Sequence, residues 1–262
     1  KWGVSKGEYA CDAKRNIIAK GLDSIKYMGT KIADELYQLS QTKHYSRFTE
    51  LLTDLDKNTS LDTRQLDILI KIDFFSEFGN QRELLHIVDM FYNTFKKGSA
   101  KQISKNKVEG SPLEEIIKKY AVGTTKSGEQ AKSYTLLDVT SIMREAEDAV
   151  KQAGIIDFDD LTKARNVQEA LGYLGYASGK EEDRRKLYVI EERPLFRKKD
   201  GVQFGHSIKT KSIGSGKESY FTVLNRYYKP KPIHKDDIIY CRTFEREGQF
   251  FQLTGYDIIS RS

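Results

Sequence analysis

The first third of the chain carries apolar residues at helical spacing. Gly29 interrupts a set of apolar positions that lie three or four residues apart: Leu22, Ile25, Met28, Ile32 and Leu36. This pattern predicts a helix, a tight turn and a second helix. Asp62 followed by Gln65 forms a capping-box signature before another amphipathic stretch. A further helix is predicted from Asn80 onward, so residues 1–95 are expected to form an all-α domain.

Polar residues dominate the next part of the chain. Residues 96–110 contain five lysines and two glycines with few apolar anchors, which predicts an exposed linker. Residues 111–114 then supply a serine cap, a first-turn proline and a capping-box glutamate. The helical pattern stops at Gly154 and resumes after Asp157, whose carboxylate is expected to cap the next helix. A helical segment is therefore predicted over residues 111–183.

From residue 187 the apolar period changes from helical to two. The alternation predicts five short strands, at residues 187–196, 202–210, 218–224, 237–244 and 249–258. The one long connection, residues 225–236, joins the third strand to the fourth. Five strands with this connection predict an OB-type β-barrel over residues 184–262. The expected fold class is α+β and multidomain, with helical domains followed by the barrel.

Charge and composition narrow the possible functions. The chain has a net charge of +6, and residues 184–262 hold 17 Lys and Arg against 9 Asp and Glu. Such an excess is the expected footprint of a module that binds a polyanion, although a solvated basic face is the alternative. Cys11 and Cys241 lie in no metal-ligand spacing, and no catalytic set is recognisable. We therefore expect no metal, cofactor or catalytic site in this chain.

Two glycine turns are candidate phosphate contacts, because glycine allows close approach and the N–H groups of a new helix attract anions. The first glycine turn (residues 27–31) and the second glycine turn (residues 78–82) both carry basic residues. The predicted DNA-binding residues are Lys26, Tyr27, Gly29, Thr30, Lys31, Gly79, Asn80 and Arg82. An ordinary helix-ending glycine is the alternative interpretation of each turn.

The predicted barrel offers a second candidate surface. Aromatic rings on its second and third strands can stack bases while ammonium groups follow the phosphates of a single strand. The residues in this set are Arg197, Lys198, Lys199, Phe204, Lys209, Lys211 and Tyr220. About half of the aromatic side chains on alternating strands must face the core. The sequence does not decide whether Tyr220 or Phe221 faces outward.

Several segments together resemble a known family. Residues 16–29 (NIIAKGLDSIKYMG), 48–52 (FTELL), 69–80 (LIKIDFFSEFGN) and 169–174 (EALGYL) are similar, in order, to the helix-hairpin-helix region and the segment before the OB domain of the alpha subunit of bacterial DNA polymerase III. Tyr27 stands where the family usually has glycine, and Ile72 and Asp73 replace small residues. The block over residues 111–154 has no counterpart in this resemblance.

The resemblance implies a DNA-directed DNA polymerase, a nucleotidyltransferase that uses Mg²⁺, whose catalytic region lies outside this chain. Lys1 in place of Met favours a piece of a longer protein. This piece is expected to be cytoplasmic and to bind primed duplex DNA and single-stranded template. The family also implies a sliding clamp as partner, and residues 87–91 resemble a clamp-binding peptide that includes Met90 and Phe91. The alternatives are core packing for this peptide and a replisome interaction scaffold for the whole chain.

Overall fold

The computed structural model describes residues 1–12, 17–125, 127–248 and 250–261. It divides into two compact units, Lys1–Phe158 and Asp159–Ser262. The first unit is rich in helices and the second contains a closed barrel, which confirms the expected fold class. The finer division at residues 95, 110 and 183 stays a prediction. None of the described helices is both long enough and apolar enough to cross a bilayer.

The start of the first unit was expected to be all-α, but it contains two short strands. Its elements are β1 (Ala10–Asp12), the antiparallel β2 (Ile17–Ala19) and a 3-10 turn (Leu22–Ser24). The N–H group of Asp23 bonds to the carbonyl oxygen of Gly7 rather than closing a helical turn. Gly21 permits this approach, because a Cβ there would lie 2.2 Å from the same oxygen. The helix predicted before Gly29 was therefore wrong.

Amphipathic helices follow in the expected places. They are α1 (Thr30–Thr42), α2 (Phe48–Asn58), α3 (Thr63–Lys71) and α4 (Gln81–Asp89). The ring of Phe48 in α2 and that of Phe75, in the turn between α3 and α4, are both fully buried, and their centroids lie 5.5 Å apart. Asp62 and Gln65 form the predicted capping box at the start of α3.

The rest of the first unit mixes short helices and strands. After a π-helical turn (Met90–Thr94) come a 3-10 turn (Lys96–Gly98), β3 (Gln102–Ser104), a second 3-10 turn (Lys105–Lys107), α5 (Pro112–Lys119), β4 (Ala121–Thr124), β5 (Gln130–Leu136) and α6 (Val139–Gln152). The sheet order is β3-β5-β4. Residues 96–110, expected to be an exposed linker, contain the buried side chains of Ile103 and Val108 among their lysines. The all-helical expectation for residues 111–183 was wrong at β4 and β5.

A carboxylate of α6 holds the start of α2. No side chain within α2 or at its N-cap position caps this helix. Glu147 replaces that cap by accepting hydrogen bonds from the N–H groups of Phe48 and Thr49, both at 2.9 Å, and from the Thr49 hydroxyl at 2.7 Å. Lys151 completes the set at 2.8 Å, and the Glu147 side chain is fully buried. This interaction joins segments that lie about a hundred residues apart in the sequence.

The second unit begins with α7 (Asp160–Leu171), which is capped by Asp159 rather than by Asp157 as expected. The barrel follows, with strands β6 (Lys186–Phe196), β7 (Gln203–Ser212), β8 (Glu218–Leu224), β9 (Ile238–Glu247) and β10 (Phe250–Ser260). The short helix α8 (Asn225–Tyr228) lies in the long connection. These bounds match the predicted strands to within three residues at each end.

The described barrel strands close in the order β10-β8-β7-β6-β9. All adjacent pairs are antiparallel except β8 with β10, which are parallel and meet at Phe221 and Phe251. Inward-facing side chains fill the interior, including Val189, Ile208, Val223, Ile239 and Leu253. The barrel is therefore OB-like, and its second and third strands, β7 and β8, are adjacent as the proposed binding surface requires.

Candidate nucleic-acid interface

The first glycine turn presents an uncapped helix end. Gly29 is the N-cap residue of α1 in an extended conformation, and no side chain bonds to the first N–H groups of the helix. Gly29, Thr30 and Lys31 are all exposed. Free N–H groups and the positive end of the helix dipole favour an anion at this position. These N–H groups can donate to a phosphate, which would lie near the Asp23 carboxylate that accepts a hydrogen bond from the Thr30 hydroxyl at 3.2 Å.

Tyr27 adopts the left-handed backbone conformation that favours glycine. Its φ is 66° and its side chain is 57% exposed. Two residues of α3 hold it: the Arg64 guanidinium lies 3.7 Å from the centroid of its ring, and the Gln65 amide donates to its carbonyl oxygen at 2.8 Å. These contacts explain how the turn tolerates tyrosine, since a non-glycine residue in this region needs support from its surroundings.

Arg64 is a candidate site residue that the sequence reasoning missed. It is exposed, and its contact with Tyr27 brings a guanidinium to the first glycine turn. No local spacing could have revealed it, because the two residues are far apart in the sequence. Lys26 is also exposed, and Lys31 lies 3.7 Å from Glu35. The Glu35 carboxylate is held mainly by the Ser60 N–H group, which lowers its pKa. Glu35 is therefore ionised at neutral pH and offsets part of the positive charge of Lys31.

The second glycine turn differs from the first. Asn80 and Glu83 form a capping box that already uses N–H groups at the start of α4. The Asn80 amide donates to the Ile155 carbonyl oxygen at 2.8 Å, and Arg82 donates to that of Ile156 at 3.2 Å. The Arg82 guanidinium also lies 5.8 Å from the centroid of the Phe158 ring. Segment 155–158 thus accepts the hydrogen bonds of Asn80 and Arg82 in this turn. The sequence suggested two equivalent turns, but the structure shows that they differ.

The barrel surface orients its aromatic residues unambiguously. Tyr220 is 60% exposed, whereas Phe221 is 7% exposed and belongs to the core. Lys209 lies opposite Tyr220 on the adjacent strand, with its ammonium 5.7 Å from the ring centroid and 2.8 Å from Glu218. The bond to Glu218 raises the pKa of Lys209 and lowers that of Glu218. Lys211 donates to the Leu174 carbonyl oxygen at 2.8 Å, so both lysines already have partners.

The loop between β6 and β7 carries cations that are less engaged. Arg197 lies 3.4 Å from Asp200, while Lys198 and Lys199 are exposed. Phe204 is only half-buried. Two apolar side chains beside this loop that the sequence reasoning missed are strongly exposed, Phe196 at 56% and Val202 at 48%. The loop therefore combines basic and apolar groups, as a surface for single-stranded nucleic acid requires.

The clamp-binding interpretation of residues 87–91 was wrong for the folded chain. Phe91 is 1% exposed and contacts the Tyr92 ring, so it belongs to the core, and Met90 is partly buried.

Across the described residues, no group of three or more His, Cys, Asp or Glu side chains is placed to hold a metal ion.

Residues 2–85 match the family model of the helix-hairpin-helix motif. The match includes both glycine turns and ends within α4. No curated protein matches the chain. The chain thus combines a helix-hairpin-helix motif, which supports DNA binding, with an OB-like barrel, a fold that also serves nucleic-acid binding.

Loss of the Tyr220 ring should weaken single-strand binding specifically. Base stacking on an aromatic side chain contributes about 1–3 kcal/mol per base, so Tyr220→Ala is expected to weaken binding by about 5- to 150-fold. The measurement is fluorescence anisotropy with a labelled single-stranded oligonucleotide. Tyr220→Phe retains the ring and should bind within about twofold of the unmodified chain. Equal loss in both variants would mean that the hydroxyl group, rather than stacking, makes the contact.

Proposed function

We propose that this chain is a non-catalytic DNA-binding region of a bacterial or phage replicative DNA polymerase alpha subunit. In this proposal the first glycine turn holds the duplex backbone and the barrel holds the single-stranded template. The uncapped, exposed start of α1 is the observation that carries the duplex contact. The order of the modules, with the helix-hairpin-helix motif before the OB-like barrel, agrees with the resemblance to the polymerase family.

The duplex contact follows from the electrostatics of the first glycine turn. Backbone N–H groups at the start of α1 would donate to phosphate oxygens, as helix N-termini do for bound anions. Lys26, Lys31 and Arg64 would add positive charge around the same phosphate. Contacts of this kind position a duplex without reading its sequence. The proposed role is therefore to hold any primed DNA near a catalytic region supplied elsewhere.

The barrel would serve the unpaired strand. Tyr220 offers a ring for stacking, and the basic loop with Lys198 and Lys199 lies at the end of β6. Stacking and phosphate contacts tolerate any base sequence, which suits a template strand. Cytoplasmic location and the Mg²⁺ requirement of the polymerase remain parts of this proposal. Clamp binding through Phe91 is not part of this proposal, because the Phe91 ring is buried.

Binding to primed DNA as salt is varied tests the proposal. If several phosphates are contacted, the logarithm of the association constant should fall linearly with the logarithm of salt concentration. On duplex DNA each phosphate contact should add about 0.9 to the steepness of this slope. Anisotropy of a labelled primer–template between 50 and 200 mM salt, roughly the range over which such contacts lose most affinity, measures this slope. Failure to bind at low salt would refute the proposed function.

A further inference from the structure

Residues 96–107, here called the lysine segment, carry five lysines and no acidic residue. It lies within residues 96–110, which were expected to be an exposed linker, and it forms a 3-10 turn, β3 and a second 3-10 turn. β3 pairs with β5 through Ile103 and Tyr134, and both side chains are buried. The lysines are therefore fixed on a folded element of the first unit rather than carried on a loose tail.

The positive charge of this segment is only partly compensated. Lys97 lies 2.7 Å from Asp56, and Lys105 donates to the Gly123 carbonyl oxygen at 2.9 Å. Lys96, Lys101 and Lys107 are exposed, and none of them pairs with a carboxylate of the described residues.

The two lysines at the end of α5 are neutralised. Lys118 lies 2.8 Å from Glu115 and 3.3 Å from Glu114, and Lys119 lies 2.7 Å from Glu145. Lys96, Lys101 and Lys107 therefore give the lysine segment a local excess of positive charge. Such a concentration complements a chain of phosphates.

The backbone of the segment supplies an independent observation. Lys96 and Lys97 have φ values of 48° and 59°, in the left-handed region that favours glycine. They follow Phe95, which ends the π-helical turn, a rare element that is frequent at functional sites. A conformation of this kind persists only where the surroundings enforce it, and it clusters at sites that bind ligands. Lysine therefore occupies two positions that favour glycine; the Lys97 ammonium pairs with Asp56, and the Lys96 ammonium is exposed.

We propose that the lysine segment is a second contact for the phosphate backbone of duplex DNA. This inference rests on the proposed function and extends it beyond the first glycine turn and the barrel. The ammonium groups of Lys96, Lys101 and Lys107 bind phosphates as point charges and read no sequence. The first unit then holds the duplex through two separate surfaces.

A triple variant tests the proposal: Lys96→Gly, Lys101→Ala and Lys107→Ala in the full chain. Three lost phosphate contacts should reduce the salt slope of duplex binding by about 2.7, at about 0.9 per contact. Glycine suits the left-handed backbone at position 96, so the melting temperature of the single Lys96→Gly variant is not expected to fall. A loss of binding in that variant cannot then be attributed to unfolding.

The matched control is the double variant Lys118→Ala and Lys119→Ala, which removes two lysines of the same unit that are already paired with carboxylates. Its salt slope should equal that of the unmodified chain. If the unmodified chain binds duplex DNA and the triple variant keeps the full slope, the lysine segment makes no contact and only this inference fails. If the unmodified chain does not bind DNA at low salt, both this inference and the proposed function fail.

Discussion

Gly29→Asp is expected to weaken duplex binding strongly while leaving the fold at least as stable. The backbone at Gly29 is already extended, as an N-cap residue requires, and a Cβ added there would meet nothing within 4 Å. Aspartate at an N-cap bonds to the N–H groups of the first turn, which glycine leaves free. Its carboxylate would occupy the position proposed for a phosphate and would repel the DNA backbone.

The size of the effect follows from the bonds that are lost. Hydrogen bonds to a charged group contribute about 1.5–3 kcal/mol each, so losing two should weaken duplex binding by at least about 100-fold. The cap itself should add a few tenths of a kcal/mol of stability. Duplex titration by anisotropy and thermal melting measure the two quantities on the same sample.

Gly29→Ala is the matched control, because alanine adds a Cβ but no capping oxygen. It should keep most of the duplex affinity. Single-strand binding should be unchanged in Gly29→Asp, since the proposal assigns it to the barrel. Unaltered duplex affinity in the aspartate variant would show that the first glycine turn is not the contact.

Glu147→Ala is expected to produce the largest loss of stability, about 3 kcal/mol or more, since it leaves buried donors without a partner. The variant removes the acceptor of the Phe48 and Thr49 N–H groups and of the Thr49 hydroxyl. Chemical denaturation followed by circular dichroism measures the free energy of unfolding. Glu145→Ala is the control, because its partly exposed carboxylate pairs with Lys119 at the surface and should cost less than about 1 kcal/mol. Similar losses in both variants would contradict the role assigned to Glu147.

The same carboxylate makes stability depend on pH. Burial raises the pKa of Glu147, but hydrogen bonds from Lys151, Thr49 and Phe48 outweigh burial and leave the pKa below its ordinary value. A group whose pKa is lower in the folded state stabilises the fold above its unfolded pKa, about 4.3 for glutamate. The stabilisation is lost as the pH falls from there through the folded pKa. Glu147→Ala should therefore flatten the acid side of the stability profile.

The barrel could be predicted from the sequence because apolar and polar residues alternate over seven or more positions in each strand, between clear turn signals. The capping box at Asp62 could also be predicted, because its partner Gln65 lies only three residues away in the sequence. β3 and β4 are short, at three and four residues, and β3 lies among lysines, so neither gave a periodic signal. β1 and β2 depend on pairing with each other, and apolar residues after them mimicked a helix.

The candidate site was predicted only where it is local. The exposed residues of the first glycine turn followed from glycine and helix chemistry. The stack of Arg64 on Tyr27 depends on tertiary packing and could not be read from spacing. The same holds for the cover that segment 155–158 places on Asn80 and Arg82, which separates the second turn from the first.

The position of β10 between β8 and β9 has a consequence for biosynthesis. Until the ribosome has released residue 260, β8 and β9 each lack a neighbour along one edge, and both edges can recruit strands from other nascent chains. The barrel that carries the surface assigned to the template strand therefore closes only after β10 has been synthesised. A polypeptide interrupted after β9 would expose unpaired edges and become a target for chaperones or proteases.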